Sequence, residues 1–314
     1  MMAFSPRARV SVAIVASVIS GMLVALQSRI NGEFGLALDN GFLAALLSFS
    51  IGLAILGVVL ATRRSGRAGI VKALAAVRGR EIPWWSVIGG VGGGFLVLTQ
   101  GLSAGVLGVA LFTIAVVTGQ TLGALVIDTR GWFGAPRVAL NAWRIAGAVI
   151  VLGGVALALD VQPGQGDLLG ILFLLPLLAG AGTGFQQAVN GRIRIVSGSA
   201  LSATFVNFLV GTTVLLVIFL VAVPFTGVPE VWPTTWWLWV GGAVGAFFIA
   251  IQVTAVTIIG VLGLGVSLVA GQLVGSVILD AIAPVAISDL QLLTIIGAVV
   301  TLVGSAMVTL AKKL

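Results

Sequence analysis

Three residue types are missing from the 314-residue sequence, which contains no cysteine, no histidine and no tyrosine. Without cysteine, disulfide bonds and thiolate metal sites are excluded. Without histidine, the commonest proton shuttle and metal ligand is absent as well. No close pair of carboxylates lies within one apolar segment, so general acid–base chemistry has no obvious carrier. We therefore predict that the protein is not an enzyme and carries no catalytic residue, metal or cofactor.

Charge is also scarce, since 8% of the residues are charged and 59% are hydrophobic, with a mean hydropathy of +1.23. These values are typical of an integral membrane protein. Apolar windows of about 20 residues, enough for a helix to cross a bilayer, recur along the chain, and they lack the alternation of a membrane β-strand. The predicted fold class is therefore all-α. We predict ten transmembrane helices, at residues 10–30, 41–61, 84–103, 105–127, 143–160, 168–190, 200–223, 236–258, 260–283 and 290–311.

The net charge of +7 could suggest a nucleic-acid partner, but the distribution of the charges favours a membrane topology instead. With the amino terminus inside, every cation except Arg29 falls on the cytoplasmic side, and most acids fall on the other. The inside acids are Glu81 and Asp128. We predict a multi-pass protein of the lipid bilayer with both termini cytoplasmic and no nucleic-acid partner. The first span could be read as a signal peptide, but its apolar stretch is too long for one, which favours a retained helix.

The chain repeats itself. The stretch GMLVALQSRING at 21–32 matches GAGTGFQQAVNG at 180–191 at an offset of 159, and LLSFSIG at 46–52 matches FVNFLVG at 205–211. WWSVIGG at 84–90 matches WWLWVGG at 236–242, and GQTLGALVID at 119–128 matches GQLVGSVILD at 271–280, both at an offset of 152. GVLG at 105–108 also has a match at 260–263. We predict a first repeat at 1–160, an external linker at 161–167 and a second repeat at 168–314.

Each repeat contains five predicted spans. Because five is odd, the second repeat must enter the membrane inverted relative to the first, as in many secondary transporters, where two such halves open a central site to either side in turn. Many glycines recur at a spacing of four, for example Gly119 with Gly123 and Gly271 with Gly275. Such spacing favours close helix packing, although smooth faces would also let helices slide.

Amide side chains occur at matching positions of the two repeats. In hydrocarbon, a buried amide must either bond to another helix or face a wet cavity. For any single amide, interhelical bonding remains an equal alternative, but their number favours a polar cavity for a small hydrogen-bonding solute. The predicted substrate-binding residues are Gln27, Asn31, Gln100, Gln120 and Ser48, with their counterparts Gln186, Asn190, Gln252, Gln272 and Asn207.

Three ionisable residues lie near the ends of predicted spans. Arg29, Asp128 and Asp280 are candidates for ion coupling or gating, because ionisable groups at membrane depth are usually functional. Arg29 could attract an anionic group, but we favour an ion pair with Glu33, and each aspartate could equally anchor the end of its helix. The basic segment at 61–83 is either a solvated loop or an interfacial helix with Ile70, Leu74 and Val77 on its apolar side.

The repeated Q…NG motif, the SF..G pattern and GQ…G…D together resemble the YdcZ-like family of the drug/metabolite transporter superfamily, here with two five-helix units fused in one chain. The resemblance implies a ten-helix inverted-repeat fold, a bacterial inner membrane location and alternating access. It also draws attention to Gln27, Asn31, Gln186, Asn190, Gln120, Gln272, Asp128 and Asp280. The first span lacks the membrane glutamate of the cation-exporting branch of the superfamily, which favours a neutral or zwitterionic solute over a cationic drug.

Two hypotheses for function follow. The first is a secondary transporter, more specifically an exporter, of a small polar metabolite. The second is a non-transporting membrane scaffold or accessory subunit. A polar central cavity would favour the first, and a dry, fully packed centre would favour the second. The sequence leaves open the identity of the solute, the coupling ion and whether the chain forms a homodimer.

Overall fold

The computed structural model describes residues 6–132, 137–159, 166–283 and 292–311, and every regular element in these ranges is helical. Single 3-10 turns at Trp84–Val87 and Trp236–Val240 precede α4 and α10, and a π turn at Gln100–Ala104 joins α4 to α5. The α-helices are α1 (Pro6–Ala37), α2 (Gly41–Thr62), α3 (Arg64–Arg78), α4 (Gly90–Thr99), α5 (Gly105–Leu107), α6 (Val109–Arg130), α7 (Ala142–Ala158), α8 (Gly166–Ser197), α9 (Ala200–Thr226), α10 (Gly241–Ile282) and α11 (Leu292–Leu310).

Nine helical segments within these ranges are long and apolar enough to cross a membrane, and α7, with 17 residues, is a shorter apolar helix. One of the nine runs from Trp84 to Leu107 through the π turn. Two others, Trp236–Gly260 and Leu262–Ile282, lie on either side of the interruption of α10 at Gly260, where the backbone has a φ of 70°. The protein is therefore an all-α integral membrane protein, as the hydropathy predicts.

Helices α1 and α8 are longer than predicted. Each has 32 residues and is therefore about 48 Å long, against the roughly 30 Å of a bilayer core. The predicted spans ended at residues 30 and 190, where amides and charged side chains lower the hydropathy. Those polar side chains leave the helical backbone intact because helix geometry depends on main-chain hydrogen bonds and not on hydropathy.

Two corresponding helix pairs form close backbone contacts: α1 lies along α10, and α8 lies along α6. A Cβ atom added to Gly21 would lie 2.3 Å from the carbonyl oxygen of Leu268, and one added to Gly180 would lie 2.0 Å from that of Val116. Gly21 and Gly180 are themselves repeat counterparts. The glycines therefore serve close packing, as the sequence predicts.

Helices α2 and α9 meet through counterparts as well. The rings of Phe49 and Phe208 stack with their centroids 4.6 Å apart. Gly242, at the start of α10, lies against the backbone carbonyl of Ser48, while Gly90, at the start of α4, lies against that of Asn207. The same contacts thus recur between corresponding residues of the two halves.

The segment at 61–83 contains helix α3, so the prediction of a solvated loop is wrong and that of a helix is confirmed. Leu74, on the predicted apolar side, is 50% exposed, so this side of α3 does not pack against the rest of the protein at that residue. Small residues form the buried side instead, and Ser202 of α9 donates to the carbonyl oxygen of Gly66 over 2.8 Å. Small side chains allow α3 to lie close to the ends of α8 and α9.

The structure also corrects the repeat register around the GVLG motifs. Gly108 and Gly260 both have a positive φ, of 77° and 70°, and both interrupt the helix just before a spanning segment. They are separated by the offset of 152 that the flanking matches share, so the final glycine of the first motif corresponds to the first glycine of the second. Matching the two GVLG strings letter by letter was wrong by three residues.

The described charges lie at the two ends of the helix bundle. The end that contains Asp280, the start of α6, Arg29 and Glu33 is called the Asp280 end. The opposite end, called the Asp128 end, contains the end of α6, the start of α7 and the cationic helix α3. Some residues of the predicted linker and of the predicted charge distribution lie outside the described residues. They are linker residues 161–165, the charged residues Asp160, Asp289, Lys312 and Lys313, and the side chain of Asp167.

Candidate functional site

A narrow central cavity of about 40 Å³ lies between α1, α2, α4, α6, α8, α9 and α10. Its apolar part includes Val24, Leu96 and the two stacked rings of Phe49 and Phe208. Its polar part consists of amides and one hydroxyl. These side chains are Gln27, Gln120, Thr183, Gln186, Gln187, Gln252 and Gln272. Five predicted substrate-binding glutamines therefore meet at one cavity.

Most of the cavity amides have no protein partner. Gln27 donates to the carbonyl oxygen of Gly241 over 2.9 Å, but its own amide oxygen accepts no hydrogen bond from the described residues. The amide oxygen of Gln272, a residue only 3% exposed, is likewise unpaired within those ranges. Since a buried amide without a partner costs about 1–3 kcal/mol, these groups are available to a solute or to water.

The cavity continues towards the Asp128 end. An adjoining space of about 100 Å³ shares Gln120, Thr183 and Gln187 with it and extends between α6 and α11. A smaller space of about 20 Å³ shares Gln187 and Gln252 and reaches Asn190. The polar centre of the bundle is therefore continuous with clefts that lie towards the Asp128 end.

Asn31 and Gln100 lie together at the Asp280 end, away from the central cavity. The amide nitrogen of Asn31 donates to the amide oxygen of Gln100 over 2.7 Å, and Gln100 in turn donates to the hydroxyl of Ser28 over 3.0 Å. These bonds tie α1 to the π turn. The backbones are also in contact there, because a Cβ atom on Gly32 would lie 2.5 Å from the nitrogen of Gly105.

The counterparts at the Asp128 end are not tied together in this way. Gln252 corresponds to Gln100, but it donates to Ser20 of α1 over 3.2 Å. Asn190 corresponds to Asn31, but its amide oxygen accepts from Asn207 over 3.2 Å. Around Gly191, the counterpart of Gly32, no atom lies within 4 Å of an added Cβ. The same residues therefore close one end of the bundle and leave a gap at the other.

Asn207 and Ser48 flank the site without lining the cavity. Asn207 positions Asn190, as described above. The hydroxyl of Ser48 is buried without a hydrogen-bond partner in the described chain and lies beside Gly241, next to the amide oxygen of Asn31. Four predicted site residues, Asn31, Gln100, Ser48 and Asn207, thus belong to the surroundings of the cavity and not to its wall.

Asp280 caps a helix. Its two carboxylate oxygens accept the backbone N–H groups of Val109 and Ala110 over 3.1 and 2.7 Å, at the break that Gly108 creates before α6. Arg29 forms the expected ion pair with Glu33, one helical turn later, and its guanidinium lies 3.8 Å from Asp280. Because a carboxylate favours a helix N-terminus, Asp280 holds the start of α6 to the end of α10.

Asp128, the counterpart of Asp280, is bound to Arg144. The guanidinium donates to the carboxylate over 2.8 Å, and the Arg144 side chain is completely buried. Asn141 adds a second connection at this point, since its side chain caps α7 and donates to the carbonyl oxygen of Ala311 over 3.0 Å. These contacts fasten the start of α7 to the ends of α6 and α11, which fits a helix anchor.

Sequence reasoning missed two lining residues, Gln187 and Thr183. Gln187 borders the central cavity and both adjoining clefts. Both residues stand in the repeated stretch at 180–191, but their counterparts are Ser28 and Val24. A search restricted to matched amides therefore passes over them, whereas the pair of adjacent glutamines at 186–187 was a visible signal.

Within the described ranges, no three carboxylates come close enough together to bind a metal ion. No Asp, Glu, Lys or Arg lines the central cavity or the two clefts. The chemistry that these residues offer is hydrogen bonding by neutral groups against an apolar wall.

Comparison with known proteins identifies the family. The family model DMT_YdcZ, described as "Putative inner membrane exporter, YdcZ", matches residues 12–157 and again residues 171–307. The chain belongs to this family. The two matches confirm the resemblance and the two-unit organisation that the repeated motifs predict.

One solved structure, described only as the crystal structure of a protein, has a TM-score of 0.57 to this chain. It is 18% identical, and the match covers 97% of each chain, so the likeness concerns the fold. No curated protein matches the sequence significantly. Membership of the DMT_YdcZ family makes the chain a multi-pass protein of the inner membrane and a member of a transporter family, not of an enzyme family.

Proposed function

We propose that the protein is a secondary transporter that exports a small polar metabolite across the bacterial inner membrane by alternating access. The observation that carries the proposal is the amide-lined cavity, closed by bonded residues at the Asp280 end and continuous with clefts towards the Asp128 end. The family's description as an exporter supports the direction of transport.

The proposed architecture is a 5+5 inverted repeat of ten helices. The nine long spans and the shorter α7 make ten in all. Support comes from contacts that recur between counterparts, such as the approach of Gly21 to Leu268 and that of Gly180 to Val116. An odd number of spans in each half would invert the second half relative to the first.

The proposed orientation places the Asp128 end and both termini in the cytoplasm. Cations are concentrated at this end, in helix α3 and near Arg130 and Arg192, whereas the Asp280 end carries one cation, Arg29, in the described chain. Positively charged residues favour the cytoplasmic side of a membrane. The described conformation is then open towards the cytoplasm.

Alternating access would exchange the contacts at the two ends. In the other conformation, Gln252 would leave Ser20 and bond to Asn190 and Gln187, as Gln100 now bonds to Asn31 and Ser28. The Asp280 end would open at the same time. Because the two halves share their contact residues, each state offers a similar set of hydrogen bonds, which keeps the difference in free energy between the states small.

In this proposal, Gln27, Gln120, Gln186, Gln252 and Gln272 bind the solute, together with Gln187 and Thr183. Asn190 lies on the path between the cavity and the cytoplasm. Asn31 and Gln100 act in gating at the opposite end, where Asp280 and Arg29 also lie. A non-transporting scaffold is the alternative, but it offers no reason for unpaired amides around a central cavity.

The test begins with purified protein screened by thermal shift against a metabolite library, since a ligand that binds only the folded state raises its apparent stability. Each ligand found is then assayed for flux in proteoliposomes. We expect saturable flux that is lost in the double variant Gln186→Ala and Gln272→Ala and kept in Thr213→Ala, whose hydroxyl is exposed and bonded within its own helix. Binding without flux for every ligand would support the scaffold instead.

A further inference from the structure

We propose that the solute of the central cavity is uncharged and carries both hydrogen-bond donors and acceptors, and that Gln187 determines which solutes are accepted. The inference rests on the proposed transport function and narrows it, because it excludes cations, anions and zwitterions. Uncharged sugars, polyols, amides and nucleosides have the required chemistry.

The first argument is the kind of polar group that the cavity offers. Six glutamines and one threonine form its polar wall. Each amide can donate two hydrogen bonds and accept two. Four of them, Gln120, Gln186, Gln187 and Gln272, form no side-chain hydrogen bond with another described residue. A solute that both donates and accepts could pair with all of these groups, whereas a simple cation or anion could use only one half of each amide.

The second argument is the absence of a counter-charge in the described wall. The two aspartates that were candidates for ion coupling are already bound elsewhere: Asp128 to Arg144, and Asp280 to the N-terminus of α6. Arg29 is paired with Glu33. An ion that moves from water into a site of low dielectric loses much of its favourable hydration, and amide dipoles recover only part of it. An uncharged solute does not incur this cost.

The third argument concerns the asymmetry between the two halves. At the position of Gln187 the first repeat has Ser28, whose hydroxyl is buried and already accepts a hydrogen bond from Gln100. Gln187 is partly exposed and borders all three connected spaces. The second repeat therefore presents an additional free amide where the first has none. Such an amide selects solutes with a matching group, because an unmatched solute leaves it unpaired.

The experiment uses the full-length protein and a library with two halves of similar size. One half contains uncharged sugars, polyols, amides and nucleosides, and the other contains amino acids, organic acids and amines, each charged at the assay pH. We expect the stabilising and transported solutes to come from the uncharged half. Transport of a charged solute through the cavity would overturn the inference and leave the transport function intact. If no solute of either kind stabilised or crossed, the transport function itself would fail.

Gln187 is tested with the variant Gln187→Ser, which copies the residue of the first repeat. Loss of one matched amide should weaken binding of the uncharged solute about tenfold or more, with an unchanged melting temperature of the unliganded protein. Thr213→Ala is the control and should bind like the parent. Unchanged affinity of Gln187→Ser would remove Gln187 from the proposal.

Discussion

The amide nitrogen of Asn31 lies 2.7 Å from the amide oxygen of Gln100, and this hydrogen bond joins α1 to the π turn that follows α4. The corresponding pair in the second half, Asn190 and Gln252, is not joined, and the gap between them is part of a cleft. The same asparagine–glutamine pair is therefore hydrogen-bonded in one half of the protein and separated in the other, as a two-state gate requires.

The first prediction compares these two glutamines. Gln100→Ala should lower the melting temperature in detergent, because it leaves the buried amide of Asn31 without its partner, at a cost of about 1–3 kcal/mol. Gln252→Ala should change the melting temperature much less, since Gln252 borders open space. An equal decrease of the melting temperature in the two variants would contradict the view that only the Asp280 end is closed.

The second prediction uses two glycines on α8. A Cβ atom added to Gly180 would lie 2.0 Å from the carbonyl oxygen of Val116. A Cβ atom added to Gly182 would have no neighbouring atom of the described residues within 4 Å. Gly180→Ala should therefore separate α8 from α6 and reduce the yield of folded, monodisperse protein. Gly182→Ala, two residues away, is the matched control and should behave like the parent. Similar yields from both variants would show that α8 and α6 are not in close contact.

The third prediction concerns the buried pair of Asp128 and Arg144. Removing either charge leaves the other buried and unpaired, which costs about 3–5 kcal/mol in buried ion pairs. Asp128→Asn and Arg144→Gln should each lower the melting temperature strongly, and the double variant should recover part of the loss. Arg137→Ala, at an exposed side chain bonded to the carbonyl oxygen of Thr129, serves as the control.

The same variants also distinguish a structural role of Asp128 from a role in ion coupling. If Asp128→Asn kept the parent's melting temperature and abolished flux, the carboxylate would act in ion coupling and not as an anchor of α6 and α7. Thermal unfolding and flux, measured on the same preparation, separate these outcomes.

The fourth prediction concerns the cap that Asp280 forms at the start of α6. Asp280→Ala removes both accepted hydrogen bonds and should cost about 0.5–2 kcal/mol, whereas Asp280→Asn keeps one side-chain acceptor and should cost less. The order of the melting temperatures should therefore be parent, then the asparagine variant, then the alanine variant. Equal melting temperatures for all three proteins would mean that the cap does not stabilise this end.

Much of the fold could be predicted from the sequence, because a bilayer requires long apolar helices and a duplication leaves a fixed offset between matching residues. Five of the cavity glutamines were found for that reason. The partners of individual amides could not be predicted. The motif that contains Gln27 and Asn31 looks the same whether its amides face a cavity or bond to another helix. Only the packing of α1 on the π turn places Gln27 at the cavity and Asn31 against Gln100.

The difference in hydrogen bonding between the two ends of the bundle could not be predicted from the sequence either. Asn31 and Asn190 are the same residue type in the same motif, so their different surroundings come from a conformation and not from a pattern. Likewise, the segment of α3 shows cations and scattered apolar residues, but its contact face consists of glycine and alanine, which hydropathy scarcely detects. Gln187 was not predicted as a site residue because its counterpart in the first repeat, Ser28, is not an amide.

The alternation of the two ends is tested most directly by thiol labelling, for which the cysteine-free chain provides a clean background. Single variants Ser28→Cys and Gln187→Cys are labelled with a membrane-impermeant reagent, each with and without the further change Asn31→Ala. We predict that the thiol at 187 reacts and the thiol at 28 is protected, and that Asn31→Ala raises labelling at 28 while lowering it at 187. If labelling at the two positions rose together, or if Asn31→Ala changed one position without the other, the two ends would not alternate.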